Sequence, residues 1–209
     1  MEMNRDPAID RRIRKSKKTL KHSLISLMQS KDFRDISITD IVALADLNRG
    51  TFYKHYQYKE ELLEEVMEDV IADLIISYRE PYKHVDVFTI KELSASVIKI
   101  FEHVANFADI YTLVLKSNAL PTLHDRICEE LKNLPLEDLE NYRPNRKINK
   151  ELASSYQAYA ILGMIIEWVN TDFEYSADYM AEQLLEIITD RPIDAVYKIS
   201  KTFKEGELK

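Results

Sequence analysis

Residues 47–63, LNRGTFYKHYQYKEELL, gather cationic, aromatic and hydroxyl-bearing side chains around one of only three glycines in the chain. On a helix, Gly50 and Lys54 lie four residues apart on one face, with Thr51 and Tyr53 on its two flanks. Lys54 can reach a guanine edge or a phosphate, and a glycine lets the backbone approach base edges closely. The hydroxyls of Thr51 and Tyr53 can bond to phosphates. These residue types at this spacing favour contact with duplex DNA.

The opposite face of the same helix is apolar. Phe52 and Tyr56 are also four residues apart, and with Leu47 they can pack against preceding helices. Arg49 stands at the helix start, where recognition helices usually enter the major groove. Lys59 begins the following helix, and its ammonium group and the helix amides could hold one more phosphate.

Two preceding helices must position this segment. A stripe of Ile13, Leu20, Leu24 and Leu27 predicts a first helix over 10–29. The second helix is predicted over 37–45, because Ser-Ile-Thr-Asp at 37–40 is a capping-box pattern and an apolar face follows it. Asp46 can adopt a left-handed turn and Asn48 can cap the third helix, predicted over 49–56. Two helices joined by a turn of about three residues form a helix-turn-helix layout.

The run ISITDIVALADLNRGTFYKHYQYKEELL, residues 36–63, resembles the DNA-binding domain of the TetR family of bacterial transcriptional regulators. The similarity lies in the capped second helix, the Thr-Phe-Tyr-x-His/Tyr recognition helix and the Lys-Glu-x-Leu start of helix four. Asp46 replaces the usual turn glycine, and Tyr58 replaces a small polar residue. The predicted DNA-binding residues are Ser37, Thr39, Asn48, Arg49, Gly50, Thr51, Tyr53, Lys54, His55 and Lys59.

The resemblance covers residues 10–65, about a quarter of the chain, and the rest is similar only in length and helical pattern. It implies an all-α fold with an N-terminal three-helix helix-turn-helix domain over 1–65. A larger helical domain over 66–209 would provide dimerisation and bind a small effector.

The charge distribution fits this division. The net charge is −7, but residues 1–60 carry +5 and the remaining residues carry −12. A basic front on an acidic body indicates a polyanion-binding module attached to a body with another task. A merely solvated basic tail is the alternative that charge alone leaves open.

Composition limits the other classes of protein. Few glycines and prolines favour helices over a β-sandwich. A single cysteine, Cys128, fits a reducing compartment, and a small helix residue is its simplest interpretation. The N-terminus is too charged for a signal peptide, and the apolar run 158–166 is shorter than the ~20 residues of a membrane span. We therefore expect a cytoplasmic protein with no membrane association.

The body is predicted to contain helices over 87–106, 108–117, 121–133, 149–170 and 177–190. The last two have apolar stripes that could form a four-helix bundle with a second copy, although such stripes could also close the monomer's own core. The two stripes are Leu152, Tyr156, Tyr159, Gly163, Ile166 and Val169, and Met180, Leu184, Ile187 and Ile188.

An effector pocket is predicted from five large side chains, although an ordinary core explains them as well: Phe101, Phe107, Tyr111, Met164 and Trp168. The histidines at 84, 103 and 124 lack metal-ligand spacing, so neither metal nor cofactor is expected.

The protein is predicted to be a homodimeric repressor that binds operator DNA, and a small effector is predicted to relieve the repression. A co-activator or architectural protein acting through a protein partner is the alternative. An enzyme is not expected, because the chain has no Gly-rich phosphate loop, nucleophile elbow or Cys/His cluster.

Overall fold

The computed structural model describes residues 7–87, 89–116, 120–139 and 147–189, and within these ranges every regular element is helical. This confirms the predicted all-α fold. Single 3₁₀ turns lie at Phe33–Asp35, Glu80–Tyr82, Ile90–Glu92 and Ala95–Val97. The α-helices are α1 Pro7–Met28, α2 Ile38–Leu44, α3 Arg49–Tyr53, α4 Lys59–Arg79, α5 Ile100–Asn106, α6 Ala108–Leu115, α7 Pro121–Asp138, α8 Lys150–Asn170 and α9 Ala177–Thr189.

The first three helices close around a small apolar core. Leu20 and Leu24 of α1 are fully buried, as the predicted stripe requires. Ile41 of α2 and Phe52 of α3 are buried with them. The short α3 therefore gains its stability from packing, because five residues are too few for a helix that is stable by itself.

Helix α4 joins this N-terminal unit to the body. Its early residue Leu62 and its later residues Val70 and Leu74 are all buried, and they belong to one core that continues into the body. The expected boundary between residues 65 and 66 therefore falls inside a continuous helix, and the division into two domains remains an expectation.

The body consists of α5 to α9, in which α7 packs along α8 and α5 packs against α9. The predicted helix over 87–106 is wrong in its first part, since 3₁₀ turns and extended residues precede α5. Ser94 gives a physical reason, because its hydroxyl oxygen accepts a hydrogen bond from the Ser96 amide and so competes with a continuous helix.

Helix α7 continues past its predicted end at residue 133, through Pro135. A proline so near the end removes only one of the helix's hydrogen bonds. The last turn is held by the buried Leu134 and by Asp138, whose carboxylate accepts two hydrogen bonds from Arg79 of α4, at 2.7 and 2.9 Å.

Across the described ranges, no helix combines the length and the apolar character that crossing a membrane requires.

Candidate nucleic-acid interface

The turn between α2 and α3 is defined by local hydrogen bonds. Ser37 and Asp40 form a reciprocal capping box at the start of α2. At its end the amide of Leu47 donates to the carbonyl of Val42 at 2.9 Å, and the amide of Asp46 donates to that of Ala43 at 3.3 Å. This pair of bonds is a Schellman motif, which requires a left-handed residue before Leu47. Asp46 is that residue, with φ of 51°, as the sequence predicted.

Asp46→Gly is expected to raise the free energy of unfolding by about 0.5–1 kcal/mol, because glycine adopts the left-handed region without a Cβ clash. Urea unfolding followed by circular dichroism would measure the change. Asp35→Gly is the matched control, since Asp35 lies in a nearby 3₁₀ turn where no left-handed backbone occurs. Equal or lower stability of Asp46→Gly would show that the aspartate side chain offsets the strain of its backbone.

Helix α3 presents the outer face that the sequence predicted. Phe52 is fully buried and Tyr56 is 4% exposed, and their ring centroids are 5.6 Å apart. Tyr53 is 52% exposed, although its ring also lies perpendicular to that of Phe52, with the centroids 5.7 Å apart. Gly50 and Lys54 lie exposed at the surface, as do Arg49 and Asn48. We call Arg49, Gly50, Tyr53 and Lys54 the outer face.

Asn48 and Thr51 bond to each other at the start of α3. The Oδ1 atom of Asn48 accepts from the amide of Thr51 at 2.8 Å and from its hydroxyl at 3.1 Å. A Cβ at Gly50 would lie 3.2 Å from the same Oδ1 atom. Gly50 therefore leaves room for the helix cap, in addition to allowing close backbone approach, and the Thr51 hydroxyl must turn before it can donate to a phosphate.

Near the start of α2, Thr39 is exposed and Ser37 keeps its hydroxyl within the capping box, where it donates to the Asp40 carboxylate at 2.8 Å.

The sequence predicted that His55 binds DNA, but its side chain lies away from the outer face. Its Nε2 atom is 2.9 Å from the Oγ atom of Ser16 in α1, and its ring packs edge-on to Tyr56. Burial and then the positive charge of Lys17 lower the pKa of His55. These contacts give the ring a structural role between α3 and α1.

Lys59 also differs from the sequence prediction. Its ammonium group donates to the backbone carbonyls of Phe33, Arg34 and Ile36, at 2.7, 3.2 and 2.7 Å. It also lies 4.6 Å from the centre of the Phe33 ring. The three N–H donors of a lysine are thus used within the protein, so the ammonium group is not placed to bind a phosphate.

Ion pairs fasten α1 to the first half of α4. Lys17 and Lys21 each donate to one oxygen of the Glu65 carboxylate at 2.7 Å, and Lys21 also reaches Asp69 at 2.6 Å. Burial alone would raise the pKa of Glu65, but the hydrogen bonds from the two lysines outweigh it and lower the pKa to about 2. The basic residues of α1 thus partly serve to hold α4.

The five side chains predicted to form an effector pocket do not line one cavity. Phe101 and Trp168 are buried against each other, with ring centroids 5.9 Å apart. Tyr111 is buried elsewhere in the core. Met164 and Trp168 border a groove of about 300 Å³ between α8 and α9, whereas Phe107 borders a different cleft beside α1. Large aromatic residues at helical spacing here mostly fill the core.

A buried histidine network was missed by the sequence analysis. The Nδ1 atom of His103 is 2.7 Å from the carboxylate of Asp73 in α4, and its Nε2 atom is 3.0 Å from the hydroxyl of Tyr111 in α6. A carboxylate can only accept, so Nδ1 carries the proton and Nε2 accepts from Tyr111. Burial lowers the pKa of His103, against the opposing effect of Asp73. No sequence spacing could show this, because the three residues come from three helices.

Helix α8 is apolar on two sides. Ala158, Leu162 and Ile165 face the protein core. On the other side Leu152 is 71%, Tyr156 76% and Tyr159 64% exposed, with Gly163 beside them and also exposed. We call these four residues the α8 stripe.

The remaining residues of the two predicted dimer stripes divide between surface and core. Ile187 and Ile188 of α9 are exposed, as a partner-facing stripe requires. Val169, Met180 and Leu184 are instead buried within the chain, and Ile166 is half-buried. Residue 190, the predicted end of α9, lies outside the described residues.

Comparison with known proteins gives two family matches. Residues 24–66 match the model described as bacterial regulatory proteins, tetR family, and residues 91–190 match that described as transcriptional regulator C-terminal region. The HTH-type transcriptional regulator YxbF of Bacillus subtilis (strain 168) is 22% identical over 188 residues, which are 90% of this chain and 48% of YxbF. The chain thus spans about half the length of this curated relative.

Solved structures share the fold. A TetR-family transcriptional regulator from Syntrophomonas wolfei superposes with a TM-score of 0.57 at 21% identity, over 83% of this chain and 93% of that one. The fatty acid degradation regulator FadR from Bacillus halodurans gives 0.59 at 13% identity, over 89% and 96%. The dihydroxyacetone kinase operon activator DhaS gives 0.54 at 20% identity, over 83% and 93%.

Proposed function

The chain belongs to the TetR family of bacterial transcriptional regulators, which bind DNA and are not enzymes, and from this premise we propose that it is a homodimeric repressor. In this proposal two copies bind operator DNA through α3, and a small effector in the body lowers the affinity. Residues 1–65 form the DNA-binding domain and residues 66–209 the dimerisation and effector domain. The protein acts in the cytoplasm, where a bacterial operator is found.

The observation that carries the proposal is the outer face of α3. Tyr53 and Lys54 stand at the surface of a helix whose other side is anchored by the buried Phe52 and Tyr56. A helix held in this way can enter a major groove without rearranging. Arg49 and Gly50 complete the contact with bases, while Tyr53, Thr51 and the exposed Thr39 bond to phosphates.

The α8 stripe supports dimerisation. Three large apolar residues more than 60% exposed along one helix are unusual on a monomer's surface, and a second copy would cover them. Pairing through α8 and α9 places two α3 helices on one assembly. Successive major grooves lie about 34–36 Å apart. An effector that favours a different distance between the two α3 helices would therefore weaken DNA binding.

Activation is the second candidate for the sign of regulation. The solved structure of DhaS, which shares this fold, is that of an operon activator. An activator or co-activator would use the body to hold another protein, whereas a repressor would release DNA when it binds its effector.

Selection of duplexes from a randomised library by the purified protein tests the proposal, with gel shifts of single variants on the selected sequence. Lys54→Ala is expected to change the preferred bases and to lose about 1–3 kcal/mol of discrimination. Tyr53→Phe is expected to weaken binding to all duplexes alike, because it removes a phosphate contact. Lys132→Ala is the control, because Lys132 is an exposed lysine of the body.

The same base preferences for wild type and Lys54→Ala would contradict base reading by Lys54, and selection of no duplex would contradict the proposal.

A further inference from the structure

A cleft of about 650 Å³ opens where the N-terminal unit meets the body. Helices α1 and α4 form one side, and residues 105–110 at the junction of α5 and α6 form the other. Its volume lies within the range of small-molecule sites, which is roughly 300–1,000 Å³. Three of the five predicted pocket residues, Phe101, Tyr111 and Trp168, are instead packed in the core.

The inner surface of the cleft is apolar. Ile25 of α1, Val66 of α4 and Ile110 of α6 are all buried and all line it. Phe107 adds an aromatic ring that is only half-buried. An apolar group of a ligand could therefore pack on the Phe107 ring and on the accessible edges of the three aliphatic side chains.

The rim of the cleft is cationic. Four basic side chains of α1 line it, together with His22: Arg14, Lys17, Lys18 and Lys21. The lining also contains three carboxylates, those of Glu65, Asp69 and Asp109. Glu65 and Asp69 are already bonded by Lys17 and Lys21.

Lys18 is the cation best placed for a ligand. It is exposed, it lines the cleft, and it has no carboxylate within ion-pair distance among the described residues. The first residues of α6 line the same cleft.

We infer that this cleft binds an organic anion with an apolar body, the apolar part against Ile25, Val66 and Ile110 and the anionic group toward Lys18. This inference rests on the proposed function, because it names the chemical class and the location of the effector. An inorganic anion would leave the apolar surface in water, and an uncharged hydrocarbon would not use the cationic rim.

A ligand in this cleft would touch both parts of the protein. The Gln29 side chain at the end of α1 already donates to the carbonyl of Asp109 in α6, at 3.0 Å. Phe107 lies against His103, with ring centroids 5.0 Å apart, so the cleft wall also adjoins the network with Asp73 of α4. A ligand in the cleft would therefore contact α1 and α6 at once, beside a hydrogen bond that already joins them.

The test uses the full-length protein and isothermal titration calorimetry with three probes: octanoate, octan-1-ol and sulfate. We expect octanoate to bind once per chain, octan-1-ol to bind more weakly and sulfate not to bind. Lys18→Glu is expected to weaken octanoate binding about fivefold and to leave octan-1-ol binding unchanged. Lys15→Glu is the matched control, an exposed lysine of the same helix outside the cleft, and it is expected to change neither.

Three results would overturn the inference: no octanoate binding, equal binding of octanoate and sulfate, or equal octanoate affinities for wild type and Lys18→Glu. DNA selection by the same sample without octanoate tests the proposed function separately. If the protein selects a duplex but does not bind octanoate, only this inference is contradicted. If it binds octanoate at Lys18 but selects no duplex, the anion site stands and the proposed repressor function is contradicted.

Discussion

Lys59→Met is expected to lower the free energy of unfolding by about 2–4 kcal/mol, because it removes three charge-assisted hydrogen bonds and leaves the carbonyls of Arg34 and Ile36 without this donor, whereas the Phe33 carbonyl still accepts from the Ile36 amide. The ammonium group now bonds to the carbonyls of Phe33, Arg34 and Ile36 and so ties the start of α4 to the turn before α2. Methionine keeps the length and much of the bulk of the side chain, so the loss of packing is small.

Urea unfolding at fixed protein concentration, followed by circular dichroism, measures this effect. Lys54→Met is the matched control, since Lys54 is an exposed lysine five residues away, and a surface change of this kind usually alters stability by less than about 0.5 kcal/mol. The two variants should differ in what they change: Lys59→Met lowers the stability of the fold, whereas Lys54→Met alters which bases are preferred. Unchanged stability of Lys59→Met would mean that its ammonium group is directed to solvent or DNA.

The sequence predicted the N-terminal helices well because their signals are local. Ser37, Asp40, Asp46 and Asn48 act on backbone groups within five residues of themselves, so their roles follow from spacing alone. Lys59 bonds to carbonyls more than twenty residues earlier in the chain, and no local pattern carries that information. His55 was predicted to bind DNA, and its contact with Ser16 of α1 was missed for the same reason.

Introducing aspartates at both Tyr156 and Tyr159 is expected to make the protein monomeric and to weaken operator binding by about 10²–10⁴-fold. Two charges in the α8 stripe would have to lose their hydration when a partner helix covers them, which costs far more than the exposed tyrosines do. A monomer then binds one half-site only, and the gain from linking two binding modules, on the order of 10²–10⁴, is lost.

Sedimentation equilibrium and operator gel shifts on the same samples measure the two effects together. Gln157→Asp is the control, because Gln157 is also exposed on α8 but lies on a different side from the stripe. A double variant that stays dimeric, or a monomer that keeps full operator affinity, would contradict pairing through α8.

The body was predicted less completely, because its signals depend on tertiary contacts. Apolar spacing located α8 and α9 but could not tell which stripe faces the core, since α8 is apolar on two sides. Phe101 and Trp168 are large aromatic residues of the kind that line ligand pockets, yet here they pack on each other. The cleft beside α1 is lined by residues from four helices, and only folding brings them together.

Helix α4 can transmit a small movement along its length. Its 21 residues form one continuous helix, which is bonded to α1 through Glu65 and Asp69, to the buried His103 through Asp73, and to α7 through Arg79. Such a helix is about 30 Å long, so a tilt of about 5° at one end sweeps the other through about 3 Å. In the proposed dimer, the same displacement in both subunits would change the distance between the two α3 helices by nearly a base-pair step or more, so we expect a sub-ångström shift near His103 to weaken the grip on operator DNA.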